Sequence, residues 1–255
     1  MRSRPFEERH VKPERSDCFF YHSFDLPDDS EIVGDWDMRG CFDQYIGGLD
    51  LSKKRVLDIG TASGFLSFEA EKRGAEVVSF DADSTERYCR LPHTPSRYTT
   101  DRAAAIEADN RWLGAVKNSY WYMHHELSSR NRVHYGDLYY LPDSIGKFDV
   151  VILGQFLVHN RSAIDVLEAV AKKSQRYLVI TEGLWEIEEA GARLLGRSDA
   201  KEDFWSNWLY SPAFYFEVVG MLGFACKSLT RNKFRCNHEK HQSDMELGTF
   251  VFERR

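Results

Sequence analysis

The stretch Val56-Leu57-Asp58-Ile59-Gly60-Thr61-Ala62-Ser63-Gly64-Phe65 decides the fold. Arg55–Ile59 is a β-rich run that meets a glycine. Phe65–Arg73 then carries Phe65, Phe68 and Ala70 at helical spacing until Gly74 stops it. Glu76–Phe80 is the next strand and ends in Asp81-Ala82-Asp83. Strand, helix and strand with short connections predict a βαβ unit, with parallel pairing and a right-handed crossover. Glycines in such a turn let a ligand approach the backbone at a helix N-terminus. A dinucleotide fingerprint would need glycine at 60, 62 and 65, and this chain has Gly60, Ala62 and Phe65. A pyrophosphate therefore fits badly. Asp58, just before the turn, suits a cationic or hydroxyl-rich ligand by charge complementarity.

The same rhythm continues toward the C-terminus. Arg132–Tyr135, Phe148–Leu153 and Tyr177–Thr181 read as strands, and Ser162–Lys173 and Phe214–Leu222 as helices. Cys226–Thr230 and Gly248–Phe252 are expected to form an antiparallel pair. Continuous apolar strands such as Val150–Leu153 imply helices on both faces of a sheet. The first fifty residues are broken by Pro5, Pro13, Pro27 and Gly34 and read as an irregular N-terminal cap, with the main domain at 51–255. Two segments interrupt the scheme, at 84–130 and 183–211. The first holds an expected helix over Ala103–Val116 followed by an aromatic stretch, Tyr120–His124.

Composition bounds the function. The 255 residues are 42% hydrophobic, enough for a sizeable core, and 34 basic against 40 acidic residues give a net charge of -6. Such a chain is a poor general coat for nucleic acid. The longest apolar run, Val150–Val158, is too short to span a bilayer. The charged start, MRSRPFEERH, lacks the apolar centre of a signal peptide, and the five scattered cysteines show no disulfide framework. A cytoplasmic protein is the expectation. Cys226, Cys236, His238 and His241 do not have the spacing of a structural zinc site, so no metal is expected. The remaining peculiarity is 14% aromatic residues.

The DIGTASG turn resembles the first motif of class I S-adenosylmethionine-dependent methyltransferases, with Ala62 in place of a glycine. The resemblance implies a Rossmann-like, doubly wound α/β fold: a mostly parallel seven-stranded sheet with an antiparallel C-terminal strand, the N-terminal cap and inserted lid segments. It also implies S-adenosylmethionine as cofactor. Asp58, Gly60, Thr61, Ala62, Gly64 and Phe65 would border its methionine part. Asp81, with Ala82, would hold the ribose hydroxyls, where two acceptor oxygens meet two vicinal donors. Asp137 and Leu138 fall in the place of the adenine-recognising residues, and Gln155 joins the same set.

A narrower likeness runs through Tyr21–Arg39, Phe148–Val170 and, weakly, Trp208–Phe224. These stretches resemble the bacterial tRNA wobble-uridine carboxymethyltransferase family and its relatives. In that family a tyrosine precedes the histidine at 159, where this chain has Val158, and the tRNA enzyme is longer. Both differences favour ordinary S-adenosylmethionine and a small acceptor over tRNA. Methylation of a small organic molecule, possibly aromatic or carboxylate-bearing, at oxygen is the leading reading. Modification of a tRNA nucleoside is the first alternative and a non-catalytic cofactor-binding protein the second. His159 is the expected base, since imidazole titrates near neutrality, with His22, His124, His125 and Glu182 as substitutes. Tyr21, His22, Trp36, Arg39, Trp205, Trp208 and Tyr210 are expected to line the acceptor, because aromatic walls exclude water and stack on planar substrates. The sequence leaves the oligomeric state open.

Overall fold

The structure is a computed structural model and describes residues 6–85, 102–196, 206–238 and 243–255. In chain order it holds the two-residue strands β1 (Phe24–Asp25), β2 (Glu31–Ile32) and β3 (Trp36–Asp37), then helix α1 (Phe42–Tyr45). There follow β4 (Arg55–Ile59), α2 (Phe65–Lys72), β5 (Glu76–Ala82), α3 (Arg102–Glu126), β6 (Arg132–Gly136) and β7 (Phe148–Gly154). The rest is α4 (Ala163–Ala171), β8 (Ser174–Glu182), β9 (Ala192–Leu194), β10 (Trp208–Tyr210), α5 (Pro212–Met221), β11 (Phe224–Cys236) and β12 (Ser243–Arg254).

Eight strands make one sheet in the order β3-β11-β12-β8-β7-β4-β5-β6. The run β8-β7-β4-β5-β6 is parallel throughout. β12 pairs antiparallel with both β8 and β11, so among the seven longer strands it alone is reversed. This is the expected Rossmann-like architecture with one correction. The sheet has an eighth strand, β3, set antiparallel on the β11 edge with Trp36 opposite Cys236. Two residues are too few to carry a period-2 signal, so this strand is not legible in the sequence. The β11–β12 arms are also longer than expected: the outer part of β12 is polar and exposed, and that of β11 buries only Phe234 and Cys236 between exposed or half-buried residues.

Alternation along the strands divides the core. Val56, Val77, Val133, Val150, Ile152 and Val179 point to one face and meet α2, α3 and the N-terminal segment. Leu57, Ile59, Val78, Phe80, Val151, Leu153, Leu178 and Ile180 point to the other and meet α4 and α5. α3 is the crossover helix between β5 and β6. It runs on through Tyr120–His124, because Leu113, Val116, Tyr120 and Met123 form one buried stripe at helical spacing. The aromatic stretch is therefore part of the core cover, a correction to the separate element expected there.

The N-terminal segment spans this first face from one sheet edge to the other. Glu7 bridges Val133 on β6, the Phe19 amide donates to the Ala115 carbonyl on α3, and β3 closes on β11. Helices α4 and α5 start at Ser162 and Ser211, whose hydroxyls accept from the Asp165 and Phe214 amides.

Candidate active site

Strand register places the candidate residues on one rim. Ile59 lies opposite Phe80 and Leu153, and Leu153 opposite Ile180. The next residues, Asp81, Gly60, Gly154 and Thr181, thus stand in a row at the carboxyl ends of β5, β4, β7 and β8. Ala82, Thr61, Gln155 and Glu182 follow one step further. The chain order reverses between β4 and β7, the crevice where open α/β sheets bind ligands.

The turn after β4 is tightly specified. Gly60, Ala62 and Gly64 all have positive φ, at 76°, 47° and 91°. A Cβ at Gly60 would come within 2.3 Å of the Phe156 ring, and one at Gly64 within 2.5 Å of Phe68. Ala62 tolerates its left-handed conformation because its amide donates to Asp81 Oδ2 at 2.9 Å. The Ala82 amide donates to the other oxygen, Oδ1, at 2.7 Å. Both oxygens of the buried Asp81 thus accept a backbone amide at the rim.

Asp58 is 1% exposed and points to the face covered by α2 and α3. Its Oδ2 accepts from Thr61 Oγ1 at 2.8 Å and Ser67 Oγ at 2.7 Å. Ser67 in turn meets Ser79 at 2.7 Å, and Ser79 meets the Tyr120 hydroxyl at 2.9 Å. Because Ser67 gives its proton to the carboxylate, the chain runs in one sense, from Tyr120 through Ser79 and Ser67 to Asp58. Burial pushes the Asp58 carboxyl up to about 6, against the hydrogen bonds from Ser67 and Thr61, which lower it.

Glu182 is fully buried at the end of β8. Its Oε1 accepts the amides of Phe156 and Leu157, at 2.7 and 2.6 Å, and so fixes the turn after β7. Burial raises it to about 8 despite these bonds. Gln155 begins that turn with φ 51°, and its amide donates to the Thr181 carbonyl. Asp58 Oδ1 inside β4, Gln155 Nε2 after β7 and Glu182 Oε2 at the end of β8 are each buried without a hydrogen-bond partner. Buried polar atoms are nearly always satisfied, so each of these atoms has capacity for a further partner.

The structure distributes the other expected residues unevenly. Asp137 accepts from the Tyr139 amide at 3.0 Å and caps its own short turn, with Leu138 buried beneath. His159 is half-buried at the end of the Leu157–His159 turn, and its carbonyl accepts from Asn207 Nδ2 at 2.8 Å. His22 lies against the glycine turn, where its amide and Nδ1 both meet Ser63 Oγ, at 2.9 and 3.0 Å. Burial alone pulls its imidazole down to about 3, so it is neutral at working pH. Trp36 is buried, and its Nε1 donates to the Tyr21 hydroxyl at 3.2 Å.

Tyr210 is 4% exposed and stacks on Phe214 with ring centroids 4.5 Å apart. Its ring is packed into the core beside α5, a correction to a place in an open lid, and Trp208 sits partly buried nearby. The Arg39 guanidinium is taken up by Asp37, Asp25 and Glu31 at 2.6 to 2.9 Å. It lines a cavity of about 190 Å³ against α2 rather than the strand rim. Trp205 and His241 lie outside the described residues.

Sequence reasoning missed Tyr45, whose hydroxyl would lie 2.7 Å from a Cβ at Gly154, so glycine is needed there. Nothing in Asp43-Gln44-Tyr45 announces this contact. Among the described residues no group of His, Cys, Asp or Glu is arranged to hold a metal ion, and no helix is long and apolar enough to cross a membrane.

No family profile matches the chain, and no curated protein matches it. Solved structures do. The chain is similar to magnesium protoporphyrin IX methyltransferase from Synechocystis PCC 6803 with bound S-adenosylmethionine, at 15% identity over 86% of this chain and 78% of that one, with TM-score 0.53. It is also similar to 1,6-didemethyltoxoflavin-N1-methyltransferase from Burkholderia thailandensis, solved with 1,6-didemethyltoxoflavin and S-adenosylhomocysteine. There the identity is 14% over 85% and 77% of the two chains, with TM-score 0.51. A third is a SAM-dependent methyltransferase from Methanosarcina mazei, at 14% identity over 80% and 93%, with TM-score 0.50. At these identities the likeness establishes the fold: the chain has the Rossmann-like fold of the S-adenosylmethionine-dependent methyltransferases. The narrower likeness to the wobble-uridine family rests on the sequence motifs alone.

Proposed function

We propose that the chain is an S-adenosylmethionine-dependent methyltransferase that methylates a small organic acceptor at oxygen. The observation that carries this reading is the strained glycine turn at the carboxyl ends of the parallel strands, with Gly60, Ala62 and Gly64 at positive φ and the Ala62 amide held by Asp81. When bound, S-adenosylmethionine supplies a methyl group made electrophilic by its positive sulfur. Asp81 would accept from the ribose hydroxyls, and the backbone of Gly60–Gly64 would border the methionine part. Asp137 and Leu138 would flank the adenine. The acidic rim complements a cation, which a dinucleotide pyrophosphate would not be. The Burkholderia enzyme, with 1,6-didemethyltoxoflavin bound, supports a small acceptor on this fold.

The protein's own part is to hold, dry and deprotonate. Orientation of a nucleophile against the methyl carbon supplies several orders of magnitude. Phe65, Phe156 and His22, all buried around the turn, exclude water from it. Two groups near the rim are able to take the acceptor's proton, His159 and Glu182. Titration of S-adenosylmethionine or S-adenosylhomocysteine into the folded protein by calorimetry tests the reading. Binding with a Kd of about 100 μM or tighter is expected, and no binding heat with either compound overturns it.

A further inference from the structure

Glu182 is the one candidate base whose geometry both fixes the carboxyl and leaves an oxygen over. Its Oε1 is committed to the Phe156 and Leu157 amides, while Oε2 is buried and unpartnered. It stands one step along the rim from Gln155, whose Nε2 is also unpartnered. No ion pair to Glu182 occurs among the described residues, so no cation neutralises it. Four phenols lie within range of its charge: Tyr21 from the N-terminal segment, Tyr45 from α1, Tyr210 from β10 and Tyr215 from α5. Burial pushes the ionisation of each of them up, and the Glu182 charge adds to this in the same sense. Asp58 on β4 acts in the same sense on Tyr45. A buried carboxylate with no cation beside it and one oxygen unpartnered repels an anion and accepts from a neutral donor.

Resting on the methyltransferase reading above, we propose that Glu182 Oε2 binds the acceptor's reacting hydroxyl and takes its proton, so that the oxygen methylated is a hydroxyl and not a carboxylate. A lone pair of the hydroxyl oxygen forms the new O–CH3 bond, and the C–S bond of the sulfonium breaks with its pair staying on sulfur. The O–H proton passes to Glu182 Oε2 and from there to water, so charge and atoms balance. A carboxylate nucleophile has no proton to give and would meet Glu182 as a like charge. Burial makes Glu182 a weaker acid and its carboxylate a stronger base, which suits this work because a base titrating near the operating pH is the more effective one. Hydrogen bonds from the Phe156 and Leu157 amides keep the carboxyl in place during the transfer.

The test uses phenol and benzoate as probes on the full chain saturated with S-adenosylhomocysteine, at about pH 9, where Glu182 is ionised. Saturation-transfer NMR or calorimetry is expected to show phenol binding about tenfold or more tightly than benzoate. In Glu182→Gln the amide oxygen still accepts the Phe156 and Leu157 amides, so the turn is held, and phenol affinity is expected to fall about tenfold while S-adenosylhomocysteine affinity is retained. Unchanged phenol affinity in this variant overturns the proposal. So does benzoate binding as tightly as phenol in the wild-type protein, a reading that stands even if the variant does not fold. Failure of the wild-type protein to bind S-adenosylhomocysteine overturns the methyltransferase reading itself and is seen before any probe is added.

Discussion

On one face of the sheet Phe68, Tyr120, Trp121, Phe24 and Trp36 enclose a chain of buried hydroxyls that ends on Asp58. On the other face, α4 and α5 close over Leu, Ile, Val and Phe with Tyr210 and Tyr215, and no such chain occurs among the described residues. The strands beneath alternate in the same way on both sides, so the difference comes from what covers them. The first face has to hold a strained turn and a buried carboxylate where a ligand meets the backbone, and aromatic rings with polar edges do both. Away from the Glu182 end of β8, the second face only has to fill volume. Phe250 is the sharpest probe of that contrast, being fully buried on β12 with Tyr215 and Phe252 at 4.9 and 5.7 Å. Phe250→Ala is expected to cost about 3–5 kcal/mol in urea unfolding, with no change in the pH dependence of stability. A loss under about 1 kcal/mol would mean that the second face is not held by packing.

The first face should instead show itself through pH. Asp58 is pushed up from 3.8 to about 6 by burial. A carboxyl raised on folding binds its proton more tightly in the native state, so its contribution is present below about pH 4 and is lost as pH rises through about 6. Over that window the shift corresponds to about 3 kcal/mol, on the order of 1.4 kcal/mol per unit. Asp58→Asn removes the titration while keeping an oxygen for Thr61 and Ser67. The stability of the variant relative to wild type is therefore expected to improve by about 3 kcal/mol between about pH 4 and pH 8. Parallel pH profiles for the two proteins would show that Asp58 does not titrate in this way.

The same contrast explains what was legible in the sequence. Strand runs such as Val56–Ile59 and Val150–Leu153 are buried on both faces, so local apolarity alone reveals them, and the glycine turn reveals itself by spacing. The carboxylates at 58, 81 and 137 follow from their places after strands. The first-face cover is different. Tyr45 reaches Gly154 across 109 residues of chain, and His22 reaches Ser63 across 41. Such long-range contacts leave no periodic trace, and an aromatic residue looks the same in sequence whether it walls a substrate or fills a core. Tyr120, Tyr210 and Trp36 all turn out to be core. Glu182 was visible as an acid after a strand, but its hold on the Phe156 and Leu157 amides appears only in three dimensions.

Arg39 gives the smallest effect and the finest test of how the first face is held at its edge. It ties together three separate two-residue strands, through Asp25 on β1, Glu31 on β2 and Asp37 on β3. Its side chain is 25% exposed, and those of Asp25 and Glu31 are 75% and 60% exposed, so water screens most of the attraction. Asp37, at 22%, is the partner least accessible to water, and the Arg39 hydrogen bonds hold its carboxyl below the usual range. Exposed ion pairs are worth about 0–1 kcal/mol each, and a network around one guanidinium recovers somewhat more than an isolated pair because the side chain is ordered once. Arg39→Met keeps most of the aliphatic stem and removes the charge. Its cost is expected to be about 1 kcal/mol in about 20 mM salt and to fall by half or more in about 500 mM salt, where the screening length shortens to about 4 Å. A cost that does not change with salt would place the contribution of Arg39 in packing against Phe24 and Phe65 around the α2 cavity rather than in its carboxylates.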